Sequence, residues 1–162
     1  MKKPDYFGVG PRIFKVVFPY LAITIAMTII FPQIFTFGEA ARSILLIAGI
    51  ILMLLGVVFY GMTVRLLVPG LKEGRLVTSG PFRLCQNPLY AALILMVFPG
   101  LGLVLNSWLM VTIIIPGYLA FKSCIRGEYK VMEDQFGDEY RQYRQRIPEF
   151  FPFGRPGEEP KS

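Results

Sequence analysis

The chain has 162 residues, 54% of them hydrophobic, with 17 Lys and Arg against 11 Asp and Glu and no histidine. That length is one domain's worth of chain, and it carries more apolar side chain than a single water-soluble core can hide. The missing histidine excludes Ser-His-Asp and Cys-His nucleophile pairs, HExxH metalloproteases and histidine-ligated zinc or haem, so any chemistry must use Glu, Asp, Tyr, Asn, Lys or Arg. Cys85 and Cys124 lie far apart without a CxxC spacing and read as reduced thiols, not as a redox motif or a disulfide framework.

Lys2, Lys3, Arg12 and Lys15 precede an uncharged stretch of 23 residues, Val16 to Gly38. Roughly 20 helical residues at about 1.5 Å each cross a hydrocarbon core, so residues 16–38 read as a first membrane span. A cleaved signal peptide is the competing reading, since Gly38 and Ala40 are small, but the apolar run is too long for it. Beyond Arg42, Ser43 to Val64 is a second uncharged run of 22 residues, giving a span over 43–64. A loop rich in Gly, Pro and Arg follows, RLLVPGLKEGRLVTSGPFRLCQN, from Arg65 to Asn87. Leu84 to Phe121 then holds 38 residues without a charge, too many for one crossing, and the polar pair Asn106-Ser107 divides it into spans over 89–105 and 108–121. Pro99-Gly100 and Pro116-Gly117 are expected to interrupt these two short helices in mid-course. The backbone carbonyls freed there need partners in a packed neighbour or in a polar cavity, and both readings stand.

The expected layout is therefore an all-α integral membrane protein, a single domain over 1–162, with four transmembrane helices and a cytoplasmic amphipathic C-terminal segment. Sixteen basic residues fall to one side of these spans and only Arg42 to the other, which places both termini in the cytoplasm. The +6 net charge thus belongs to membrane topology, and no nucleic-acid partner is expected. No span contains Asp, Glu, Lys or Arg, which argues against ion or proton transport and directs attention to the cytoplasmic face. There, Met132, Phe136, Tyr140, Tyr143 and Ile147 recur at spacings of four, four, three and four, an apolar stripe on a charged helix expected to lie at the membrane surface. Gly137-Asp138 reads as a stop and a fresh N-cap within it. The final FPFGRPGEEPKS has no periodicity, and 155–162 is expected to be a flexible tail.

Two segments carry a resemblance. LVTSGPFRLCQNPLY, residues 76–90, is similar to the L-x-T-x-G-P-Y-R-x-x-R-[HN]-P-x-Y signature of the integral-membrane methyltransferases that include isoprenylcysteine carboxyl methyltransferase and the phospholipid methyltransferases. GEYKVMEDQFGDEYRQYRQRIPEFFP, residues 127–152, resembles the same family's ending, E-E-x-x-L-x-x-x-F-G-x-E-Y-x-x-Y-x-x-R-V-P. The resemblance implies S-adenosylmethionine as cofactor, membrane lipids as partners and a lipid-like or prenylated acceptor, with no metal. Carried over by position, it implies cofactor binding by Gln86, Asn87, Pro88, Tyr90, Glu128 and Tyr129. Gln86 stands where the family usually has Arg, and Tyr129 where the second acid of the Glu-Glu pair is expected.

The side-chain chemistry suits that role on its own terms. A sulfonium donor with an ammonium, a carboxylate and ribose hydroxyls calls for an acid such as Glu128, amides such as Asn87 and Gln86, and an aromatic face such as Tyr90. Arg83, Arg126 and Arg146 are candidates to hold an anionic acceptor. Plainer readings stand beside these: Asn87-Pro88 is also an ordinary helix start, and Glu128 could pair with Lys130 or Arg126 at the surface. The alternative function is a non-catalytic membrane relative that binds lipid or acts as a scaffold.

Overall fold

The computed structural model describes residues 10–150; the expected tail at 155–162 and the basic residues Lys2 and Lys3 lie outside the described residues. Helix α1, Gly10–Ile30, buries Ile13, Val17, Leu21 and Thr24, spaced four, four and three, so one face packs inward. It ends earlier than the expected 38. Pro32 restricts the residue before it, Phe31 leaves helical geometry with φ −126° and ψ 58°, and the chain turns through the one-turn helix Pro32–Phe35.

Helix α2, Arg42–Glu73, is 32 residues long, about 48 Å, and continues past the expected end at Val64. Its buried residues are Gly49, Gly56, Thr63 and Gly70, one every seven. That repeat draws a single shallow groove down one side. Helix α3, Pro88–Val104, lies in the groove. A Cβ on Gly49 would stand 2.7 Å from the Gly100 carbonyl oxygen, and one on Gly56 would stand 2.8 Å from the Met96 Cβ. The opposite side of α2 exposes Ile44, Ile47, Ile51, Leu54 and Val58, an apolar surface suited to lipid tails. Gly74, in the left-handed conformation at φ 65°, closes the helix by donating its N–H to the carbonyls of Gly70 and Leu71.

Within α3 the turn Ala92–Val97 widens to a π-helix just ahead of Pro99. The widened turn accommodates a residue that has no N–H to donate, and the helix continues through it. The polar break falls where expected: Asn106 turns the chain with φ 54°, and the Ser107 hydroxyl accepts the Met110 N–H at 3.3 Å, capping the short α4, Trp108–Val111. Helix α5, Ile114–Arg146, runs for 33 residues. Pro116 sits in its first turn, where no N–H is needed, so it does not interrupt a helix in mid-course as expected. Nor does the last helix end near Phe121.

Among the described residues three helices are long and apolar enough to cross a membrane, Gly10–Ile30, Glu39–Glu73 and Trp108–Arg146, and Pro88–Val104 is a shorter apolar helix. Hydroxyls tie α1 to the hairpin formed by α3 and α4: Tyr20 Oη meets Thr112 Oγ1 at 2.5 Å, and Thr28 Oγ1 meets Ser107 Oγ at 2.7 Å. Cys85 and Cys124 are both free thiols, as read from their spacing.

Gly137 does break α5, with φ 52° and ψ −126°, and the apolar stripe packs into the core of the bundle. Tyr140 and Tyr143 are buried, and Met132, Phe136 and Ile147 pack against the same core. The stripe's apolar face finds protein before it finds lipid, because the 76–87 loop folds over it.

Candidate functional site

The two motif segments converge at one end of the bundle. Asn87 occupies the N-cap position of α3 and Pro88 its first turn, yet the Asn87 side chain makes no cap bond. It turns instead toward α5, where its Nδ2 donates to Tyr129 Oη at 2.8 Å and to the Glu149 carbonyl at 3.1 Å. Tyr129 in turn donates to the Glu149 carboxylate at 2.8 Å, and Lys122 forms an ion pair with that carboxylate. One helical turn beyond Asn87, Tyr90 donates to Glu128 Oε1 at 3.1 Å. Asn87 and Tyr90 from α3 thus meet Tyr129 and Glu128 from α5 in one constellation.

Gln86 is almost fully buried, and its amide nitrogen donates to the carbonyls of Arg144 at 3.2 Å and Ile147 at 2.6 Å. Its backbone N–H donates to the Pro148 carbonyl at 2.9 Å. The task at position 86 is donation into carbonyls where the chain leaves α5, and a neutral amide performs it without burying a charge. Tyr129, at the second-acid position, reaches past its own helix to the Glu149 carboxylate. The Arg144 guanidinium lies 4.4 Å from the centre of the Tyr129 ring and 5.8 Å from that of Tyr140, within cation–π range.

From Lys122 onward α5 carries charges and lies beyond its apolar stretch, so these tyrosines stand outside the hydrocarbon region. Burial, followed by the nearby Glu149 carboxylate, pushes the Tyr129 hydroxyl well above the ordinary tyrosine range. Burial is also the leading cause that raises Tyr140, ahead of a lowering contribution from Arg144, and it raises Tyr143 with a smaller contribution from Cys85. All three remain protonated donors at neutral pH.

Of the candidate arginines, Arg83 and Arg146 line one cleft of about 400 Å³ beside Tyr143. Arg126 does not line it and is exposed. Residues that sequence reasoning missed are Glu149, Lys122 and Arg144, together with Tyr118, Phe121 and Phe150, which pack with the expected Tyr90 in an aromatic group with ring centroids 4.9–6.3 Å apart. Glu149 carried one available signal, an acid beside the Pro148 that ends the second motif, but nothing in its spacing points back to residue 129. Among the described residues, no three His, Cys, Asp or Glu side chains are grouped to hold a metal ion.

The residue types fit a sulfonium nucleoside. Glu128 and Glu149 are acids, Tyr90 and Phe121 supply aromatic faces, and two buried polar atoms, Gln86 Oε1 and Arg144 Nε, have no hydrogen-bond partner among the described residues. Asn87 and Tyr129 hydrogen-bond each other and Glu149.

Fold and site together define a helical integral membrane protein with a polar constellation at one end of its bundle. The chain belongs to the phospholipid methyltransferase family, whose model matches residues 21–139, within the wider group of isoprenylcysteine and phospholipid membrane methyltransferases. Methyltransferases of this family generally use S-adenosylmethionine. Among curated proteins the chain is 35% identical over 88 residues to the cobalt-zinc-cadmium resistance protein CzcN of Cupriavidus metallidurans. It is 33% identical over 88 residues to the nickel-cobalt-cadmium resistance protein NccN of Alcaligenes xylosoxydans xylosoxydans. Each match covers 54% of this chain and 40% of the relative's length. No solved structure matches.

Proposed function

We propose that this chain is an S-adenosylmethionine-dependent methyltransferase acting on a lipid-like or prenylated small acceptor at the cytoplasmic membrane face. The observation that carries the reading is the meeting of Tyr90 with Glu128 at 3.1 Å beside the pairing of Asn87 with Tyr129. Two motifs separated by a helical hairpin supply one acid-and-aromatic constellation. The excess of basic residues on one side of the helices supports the cytoplasmic orientation.

In this reading Glu128 accepts from the ammonium or a ribose hydroxyl of the cofactor, and Tyr90 and Phe121 offer an aromatic wall. Arg144 Nε and Gln86 Oε1, without a hydrogen-bond partner among the described residues, provide a buried donor and a buried acceptor. S-adenosylmethionine supplies the electrophilic methyl group. The chain's own part is to position the reactants and keep water away. A carboxylate or thiolate acceptor needs no general base, whereas an amine hands its proton to Glu128 or to water.

The second reading, a non-catalytic relative that binds lipid or acts as a scaffold, draws on the mutual saturation of Asn87, Tyr129 and Glu149. Calorimetry of the purified protein with S-adenosylhomocysteine, together with methyl-labelled donor added to native membranes, separates the two. The enzyme reading expects binding heat that Glu128→Gln abolishes, and a labelled lipid or small molecule. Absence of both heat and label, with lipid retained, replaces it with the second.

A further inference from the structure

We infer that the Lys122–Glu149 ion pair receives a zwitterionic α-amino-acid group, the amino-acid end of the nucleoside donor, with Glu149 accepting from its ammonium and Lys122 donating to its carboxylate. The inference rests on the cofactor reading proposed above and assigns one end of that ligand. Glu149 lies just past the end of α5, yet its neighbours fix it in place. The Pro148 carbonyl accepts the Gln86 backbone N–H at 2.9 Å, and the Glu149 carbonyl accepts from the Asn87 amide at 3.1 Å. On the other side Phe150, only 1% exposed, packs its ring against Phe121 and Tyr118 with centroids 4.9 and 5.5 Å apart. The carboxylate is therefore held beside the motif residues.

Its two oxygens are held differently. Oε1 accepts from the Tyr129 hydroxyl at 2.8 Å, and the Arg144 guanidinium, 4.4 Å from the centre of the Tyr129 ring, keeps that ring in place. Oε2 pairs with Lys122, whose side chain is 47% exposed against 18% for Glu149. A pair with one partner so open to water adds little stability, and the flexible lysine stem lets the amine turn to a new acceptor. When an incoming ammonium takes the place of the amine at Oε2, Glu149 keeps a cationic partner and Lys122 gains the carboxylate of the ligand. Opposite charges on the protein then meet opposite charges on the ligand, and neither is left unmatched. An aromatic run joins this end of the site to the other acid. Tyr90, which donates to Glu128, has its ring centroid 5.5 Å from that of Phe121, and Phe121 packs on Phe150. With Glu149 assigned to the amino-acid end, Glu128 serves the ribose hydroxyls.

The test removes the group from the ligand and from the protein in turn. The full-length protein in detergent is titrated calorimetrically with S-adenosylhomocysteine and with 5′-methylthioadenosine, which keeps the nucleoside and the sulfur but ends in a methyl group. The wild type is expected to bind the first about tenfold or more tightly than the second, the scale of charge-assisted hydrogen bonds. Glu149→Gln and Lys122→Met should each remove most of that preference by weakening S-adenosylhomocysteine alone, with 5′-methylthioadenosine bound as in the wild type. Lys130→Met, which removes an exposed lysine of the same helix outside the pair, should change neither affinity. Lys122→Met alters an exposed side chain and serves should Glu149→Gln not fold. Equal losses for both ligands mean that the pair supports only the fold, and they overturn the inference. A preference unchanged in the variants, or absent from the wild type, overturns it too, while the cofactor reading stands. A wild-type protein that binds neither ligand refutes that reading and this assignment together.

Discussion

The Asn87 side chain, at the mouth of α3, donates to the hydroxyl of Tyr129, midway along α5, at 2.8 Å. That single bond ties the two motif segments together, and Glu149 completes it from a third segment by accepting from both residues. Three consequences of this arrangement can be measured, and a fourth concerns the packing on which the site rests.

Tyr129→Phe keeps the ring under Arg144 but removes the hydroxyl that accepts from Asn87 and donates to Glu149. A buried amide hydrogen then loses its partner, at a cost of about 1–3 kcal/mol. Thermal unfolding in detergent should show a lower midpoint. Removing the Lys122 amine by Lys122→Met should cost less, because that side chain is 47% exposed and exposed ion pairs contribute about 0–1 kcal/mol.

Alkaline titration should find three tyrosines that resist ionisation. Tyr129, Tyr140 and Tyr143 have hydroxyls raised above the ordinary value of 10.0 by burial. A group raised on folding contributes stability that is fully present below its unfolded value and is lost as pH climbs toward the folded one. Stability should therefore hold up to about pH 10 and fall above it, with these three ionising together with unfolding. Tyrosinate absorbance followed alongside circular dichroism tests this; ionisation of these three before any loss of helix would contradict it.

Tyr143→Phe cuts the tie from α5 to the carbonyl of Phe82, 2.8 Å away, and the longer contact to that of Cys85 at 3.5 Å. Cys85 is fully buried in the folded chain, whereas Cys124 is half-buried. The variant should raise the rate of Cys85 alkylation while leaving that of Cys124 near its wild-type value. Peptide mapping after timed labelling reads both rates in one sample.

Gly49→Ala should destabilise the bundle by about 1–3 kcal/mol, the usual cost of forced overpacking. Its new Cβ would meet the Gly100 carbonyl at 2.7 Å and the Val104 nitrogen at 2.9 Å, both backbone atoms that cannot swing aside. Gly61→Ala is the control: nothing lies within 4 Å of the added carbon, and helix propensity alone should stabilise by about 0.5–1 kcal/mol. Equal midpoints for the two variants would refute the groove-packing account of how α2 holds α3.

Much of this protein was legible in one dimension. Three uncharged stretches foretold apolar helices, because a charge in hydrocarbon is costly wherever it falls in the chain. The Asn106-Ser107 turn and the break at Gly137 followed from local backbone chemistry, which a few adjacent residues decide. The two motifs single out Asn87, Tyr90, Glu128 and Tyr129 by position in the sequence alone.

What required three dimensions was everything that depends on two distant segments meeting. Periodicity showed that Tyr140 and Tyr143 share an apolar face, but protein and lipid are equally apolar partners, so only the folded loop settled which of them covers it. Position showed Gln86 and Tyr129 as departures from a pattern, whereas their partners, the carbonyls of Arg144 and Ile147 and the carboxylate of Glu149, come from residues whose spacing implies no contact. Hydrophobic patterning is additive along the chain and can be read from it. A hydrogen bond needs two atoms within about 3 Å, and that distance is a property of the fold alone.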